Sequence, residues 1–138
     1  MSQEATNVEI LKEAYSQWHD TRGGSVAHWL SIIDDNISFG SIPRGAAPLA
    51  FAKDYTRRDQ LRHYFNGLLS DWIMIDYIAD EFVAQGDTVV MRGSCSWANK
   101  RTSKTVSTPK IDFWRFRDGK AIEFYGYYDT AAVFAAAT

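Results

Sequence analysis

The chain has a single cysteine among its 138 residues, so an internal disulfide is excluded. No cysteine, histidine or carboxylate cluster has metal-ligand spacing, and neither a metal nor a cofactor is expected. No apolar run approaches the roughly 20 residues needed to cross a bilayer, which argues against a membrane partner. Charge of one sign is also missing. Fifteen Lys and Arg face 17 Asp and Glu, for a net charge of −2, so no basic field is available to hold a phosphate backbone, and no nucleic-acid partner is expected. The small clusters Arg57, Arg58, Arg62 and Lys100, Arg101, Lys104 read as solvated helix and turn faces. The opening stretch MSQEATNVEILKEA has neither a basic nor an apolar signal region, which favours a reducing, cytoplasmic setting.

What the chain does have is aromatic surface. Aromatic residues make up 14%, including five tryptophans, and these need burial or a ligand. Thr6-x-x-Glu9 reads as a capping box. Val8, Leu11, Tyr15 and Trp18 follow at spacings of three and four, the stripe of a first helix that ends at Thr21-Arg22-Gly23-Gly24. Ser25 opens a short second helix with the stripe Val26, Trp29, Leu30 and Ile33. Asp34 and Asp35 lead into a short strand from Ile37 to Ile42. Residues 43–54 show no period and read as an apolar covering loop. Thr56-x-x-Asp59 reads as the start of a third helix carrying Leu61, Tyr64, Phe65, Leu68 and Leu69.

From Trp72 onward the pattern is β. Runs at 72–84 and 88–98 are separated by Gln85-Gly86-Asp87. A polar turn at 99–104 leads to a third run ending at Phe116. Pro109 within that run predicts an edge position, a bulge or a break, because it lacks a ladder donor. Asp118-Gly119 predicts a two-residue hairpin before the last strand, 121–128, and an alanine-rich tail. The expected fold is α+β: one domain over residues 1–138, with a strongly curved, mostly antiparallel sheet forming a cone-shaped barrel around three helices from the first half.

Element order and the segment IDFWRFRDGKAIEFYGYYD together resemble the nuclear transport factor 2-like superfamily, in particular its SnoaL-like and ketosteroid isomerase-like branches. The concave side of such a sheet implies a deep apolar pocket, and the apolar residues on its convex face imply a homodimer. The resemblance implies that Tyr15 and Asp112 form an oxyanion-binding pair, and that Asp129 is an acid/base group, as in the SnoaL-like cyclases. Phe39 and Gly40 stand where the isomerase's catalytic carboxylate is expected, so the isomerase's own base is not matched.

Strand alternation puts Asp112, Trp114 and Phe116 on one face. If that face lines the pocket, burial favours a neutral Asp112 able to donate a hydrogen bond. A neutral aspartic acid in an apolar pocket plays that part in ketosteroid isomerase itself. The competing reading of Asp112 is a cross-strand partner for an arginine such as Arg92. Asp129 also reads as a helix cap. Trp18, Trp29, Tyr55, Phe65, Trp97 and Trp114 are the expected pocket wall, suited to a small hydrophobic molecule. His19, His28 and His63 lie beside the apolar stripes, and Cys95 reads as an inert apolar filler. The resulting expectation is an isomerase, cyclase or lyase acting by proton abstraction on a small cyclic carbonyl compound. The alternative is a non-catalytic binding or dimerisation module.

Overall fold

A computed structural model describes residues 2–138. The first helix, α1 (Gln3–Asp20), begins a turn before the Thr6 box. Ser2 is its cap, its side chain accepting from the Ala5 amide at 3.1 Å, which satisfies an otherwise orphaned donor. The predicted stripe holds: Leu11, Tyr15 and Trp18 are buried, with Ala14 between them. α2 (Val26–Ser31) is a single short segment. Ile33 belongs instead to β1 (Ile33–Ser41), which absorbs Asp34 and Asp35 and starts four residues earlier than predicted.

The covering loop contains a 3₁₀ turn at Ala50–Ala52 and is followed by a short strand that periodicity did not reveal, β2 (Tyr55–Arg57). The Thr56 box does not form. The Gln60 side chain instead accepts from the Thr56 and Arg57 amides at 3.0 and 3.2 Å. A 3₁₀ turn at Arg58–Gln60 then leads into α3 (Leu61–Asp71).

The β-rich remainder folds as β3 (Trp72–Gln85), β4 (Thr88–Asn99), β5 (Thr105–Arg117) and β6 (Lys120–Tyr128). Asp118 and Gly119 both have positive φ, 50° and 76°, as a two-residue hairpin turn of the primed type requires. The six strands form one sheet in the order β2-β1-β6-β5-β4-β3. All neighbours are antiparallel except β1 and β6. The sheet is curved but unclosed, an open cone with β2 and β3 as its free edges. Two irregularities in β3, between Met74 and Asp76 and between Ala79 and Glu81, add local twist.

Pro109 neither breaks nor bulges β5. Its pairing with β4 runs unshifted from Thr88–Arg115 to Ala98–Thr105. On the other side, the ladder with β6 starts only at Lys110, so the proline sits at a local edge.

The alanine-rich tail is a helix, α4 (Thr130–Ala137). Asp129 caps it by accepting from the Ala132 amide at 3.0 Å. The 99–104 turn ties its far end: Thr102 Oγ1 donates to the Ala136 carbonyl at 2.6 Å and the Arg101 guanidinium to that of Ala137.

Candidate functional site

Between the helices and the concave face of the sheet lies a cavity of about 110 Å³. Its wall is mostly aromatic. Trp29 stacks on Trp114 with ring centroids 5.5 Å apart, and Trp18 meets Phe65 edge-on at 5.6 Å. Five of the six aromatics expected in the wall are there: Trp18, Trp29, Phe65, Trp97 and Trp114. Tyr55 is the exception. It is buried behind the wall, donating its hydroxyl to the Phe51 carbonyl at 2.6 Å and packing on Phe39 and Tyr64. Tyr55 is a core residue because β2 turns it toward the covering loop. Leu49 and Phe51 of that loop complete the wall, as does Val133 of α4.

One polar cluster interrupts this apolar surface. Asp112 is 1% exposed, on the inward face of β5 that alternation assigned to it. Tyr15 of α1 donates to its Oδ2 at 2.5 Å, and Tyr77 of β3 donates to the same oxygen at 3.2 Å. The Lys110 ammonium contacts Oδ1. Trp114 Nε1 in turn donates to the Tyr15 hydroxyl at 2.9 Å. Lys110 also lies 5.5 Å from the Phe124 ring centroid and 5.4 Å from that of Tyr128, within cation–π range of both.

Gly126 stands opposite Asp112 on β6. A Cβ there would come within 2.9 Å of Lys110 Nζ, so the bare backbone makes the room that the ammonium occupies.

The electrostatics follow from burial. Desolvation first, and the neighbouring Asp112 charge second, raise the Tyr15 and Tyr77 hydroxyls well above the usual tyrosine range. Desolvation likewise raises Tyr64 and Tyr128. Burial pushes the Cys95 thiol up to about 11, against the pull of Lys110, which keeps it a protonated, inert filler as expected. All these groups therefore stay neutral around one ion pair.

Tyr15 and Asp112 meet as expected. Three donors converge on Asp112, one of them a cation, and both carboxyl oxygens are engaged within the protein. The Tyr15 hydroxyl both donates and accepts within the protein. Arg92 is not the partner of Asp112; it pairs with Glu81 at 2.8 Å. Asp129 is exposed, caps α4 and is not part of the cavity wall, which corrects its reading as the pocket base. His19, His28 and His63 do not line the cavity. Among the described residues no group of three or more His, Cys, Asp or Glu is arranged to hold a metal ion, and no helix is long and apolar enough to cross a membrane.

Sequence reasoning missed Lys110 and Tyr77. For Lys110 the signal was available: period two along β5 puts residue 110 on the same face as 112 and 114. Tyr77 was hidden because the irregularity near Asp76 resets the alternation of β3.

This architecture, an open cone of six strands around helices with an aromatic cavity at its centre, is the nuclear transport factor 2-like fold. The profile of the SnoaL-like domain matches residues 13–124, and the chain belongs to that family. Solved structures agree in shape. An NTF2-like protein of unknown function from Burkholderia pseudomallei K96243 superposes with a TM-score of 0.85 at 20% identity, over 100% of this chain and 99% of that one. TerC, co-crystallised with polyporic acid, gives 0.76 at 18% identity, over 96% and 98%. A protein of ketosteroid isomerase-like fold from Catenulispora acidiphila DSM 44928, in complex with trimethylamine, gives 0.73 at 15%, over 94% and 92%. No curated protein matches the chain.

Proposed function

We propose that this protein is a cofactor-independent isomerase, cyclase or lyase that moves a proton on a small hydrophobic cyclic carbonyl compound. One observation carries this reading: a carboxylate fixed by two phenols and an ammonium in a mostly apolar cavity. Asp112 is the base. A carboxylate offers about four lone-pair sites, three of which are engaged, leaving one for a substrate hydrogen. The carbon–hydrogen bond next to the carbonyl breaks, the proton passes to Asp112, and the electron pair moves onto the carbonyl oxygen. Returning the proton at another carbon isomerises the compound; loss of a β-substituent completes a lyase reaction. Tyr15 and Tyr77 hold the carboxylate in place.

The size of the cavity limits the substrate. Its volume lies well below the roughly 300–1,000 Å³ of pockets for drug-sized ligands, so one ring fits better than a fused polycycle. Incubating the protein in D2O with cyclohexanone, cyclohex-2-enone and related rings, and following the α-hydrogens by NMR, tests the reading. Exchange that Asp112→Asn lowers by about 10²–10⁴-fold supports it, and no exchange above that variant's level overturns it.

A second reading, a non-catalytic small-molecule binder, is favoured by the closed hydrogen bonding of Tyr15, which leaves it no donor for a ligand. Binding of the same rings without exchange would select it. The homodimer is part of the proposal too. Ile73, Ile75, Ile78 and Val83 are all exposed on β3, and Tyr127 on β6, more apolar surface than a free sheet face normally leaves in water.

A further inference from the structure

Lys110 is nearly buried, its side chain 11% exposed, yet it meets one protein oxygen, Asp112 Oδ1. A lysine ammonium carries three N–H donors. Asp112 does not depend on it alone, since its other oxygen is held by Tyr15 and Tyr77. Among the described residues lining the cavity, Lys110 is the one cation and Asp112 the one anion. The two rings beside the ammonium, Phe124 and Tyr128, stabilise a positive charge without consuming its donors. The space it fills exists because residue 126 has no side chain. Charge, free donors and a shaped recess therefore coincide at one atom, beside the carboxylate.

We infer that Lys110 grips the ligand's oxygen and that the cavity takes single-ring carbonyl or enol compounds whose oxygen gathers negative charge next to an acidic hydrogen. The inference rests on the proton-transfer reading and assigns its missing half. Asp112 receives the hydrogen, and Lys110 stabilises the enolate oxygen that results, a charge-assisted contact against mostly apolar walls. The tyrosines do not compete for this role: Tyr15 and Tyr77 are engaged on Asp112. Tyr64 and Tyr128, which also line the cavity, are neutral and weaker donors.

The probe is 4-nitrophenol, a single ring whose visible absorbance reports whether its oxygen is ionised. It is titrated with pH in the presence of excess full-length protein. The bound probe is expected to ionise at least about one pH unit below the free probe, a tenfold preference for the anion. Lys110→Met abolishes that shift, Lys110→Arg retains part of it, and Tyr64→Phe leaves it nearly intact. Asp112→Asn enlarges it, because a repelling neighbour is gone. Gly126→Ala gives an independent variant: it displaces the ammonium while keeping both charged residues, and weakens the shift. Circular dichroism confirms that each variant is folded.

No binding, binding of the neutral phenol without a shift, or a shift that survives Lys110→Met while Tyr64→Phe removes it would each overturn the inference. The two readings fail separately. A shift without hydrogen exchange on ring ketones retains Lys110 as the oxygen anchor and removes Asp112 as the base. Exchange without a shift does the reverse.

Discussion

Tyr15 and Asp112, 97 residues apart in sequence, meet at 2.5 Å, and the indole of Trp114 closes the set by donating to the same hydroxyl. A helix and one of the two middle strands are thus joined through one phenol inside an aromatic core. Removing it has two effects at once. Tyr15→Phe takes a donor from a buried carboxylate and an acceptor from a buried indole. Stability should fall by about 1–3 kcal/mol, the range for leaving a buried polar group unpaired, and urea denaturation measures it. A loss below about half a kcal/mol would mean that water replaces the hydroxyl.

The Lys110–Asp112 pair predicts an asymmetry. Asp112→Ala strands a nearly buried ammonium and should cost about 3–5 kcal/mol. Replacing both partners, Lys110→Met with Asp112→Leu, should recover most of that loss while abolishing hydrogen exchange. If the double variant is no more stable than Asp112→Ala, the destabilisation has another source.

Alkaline pH should unfold the protein steeply. The phenols of Tyr15, Tyr64 and Tyr77 are raised in the folded state, chiefly by burial. A raised value means that the folded state keeps protons that the unfolded chain releases. Their contribution is fully present below about pH 10, where unfolded tyrosine begins to ionise, and declines as pH climbs toward the folded values. Each contributes a slope of about 1.4 kcal/mol per pH unit, so the three together give about 4. Cys95, raised to about 11, adds to the loss from just below that window. Far-UV circular dichroism across pH 8–12 (a range of roughly two units either side of free tyrosine) reads the transition. Stability unchanged to pH 12 would contradict the burial of these phenols.

Asp129→Ala should remove the cap of α4 and cost about 1 kcal/mol. Because the side chain is exposed and outside the cavity, hydrogen exchange on ring ketones should stay within about twofold. A loss of the size expected for an acid/base group, about 10²-fold or more, would restore Asp129 to the chemistry.

The exposed isoleucines of β3 predict the assembly. Ile73→Lys combined with Ile75→Lys should convert a dimer to a monomer in sedimentation velocity, with the fold retained. A wild-type protein that sediments as a monomer would remove the homodimer from the proposal.

The fold was legible wherever one face of an element was buried and one wet. The stripe of α1 and the alternation of β5 placed Tyr15, Asp112 and Trp114 correctly, because period and burial agree there. Legibility failed where local signals had rivals. Thr6-x-x-Glu9 looks like a cap, but Ser2 reaches the helix first. Tyr55–Arg57 is too short to show a period and forms a strand through its pairing with β1. In the site, the aromatic wall followed from composition, whereas the full set of partners around Asp112 did not. Its three donors come from α1, β3 and β5, and a convergence of distant elements leaves no mark on any single stretch of sequence.

The pairing of β1 with β6 sets Gly40 beside Tyr125, some 85 residues later in the chain. On the ribosome, the inward edge of β1 has no neighbour until β6 has left the exit tunnel. The aromatic interior remains unsealed for most of synthesis, a long interval of exposed strand edge. Truncations ending before residue 120 should therefore gather into aggregates rather than fold as smaller units.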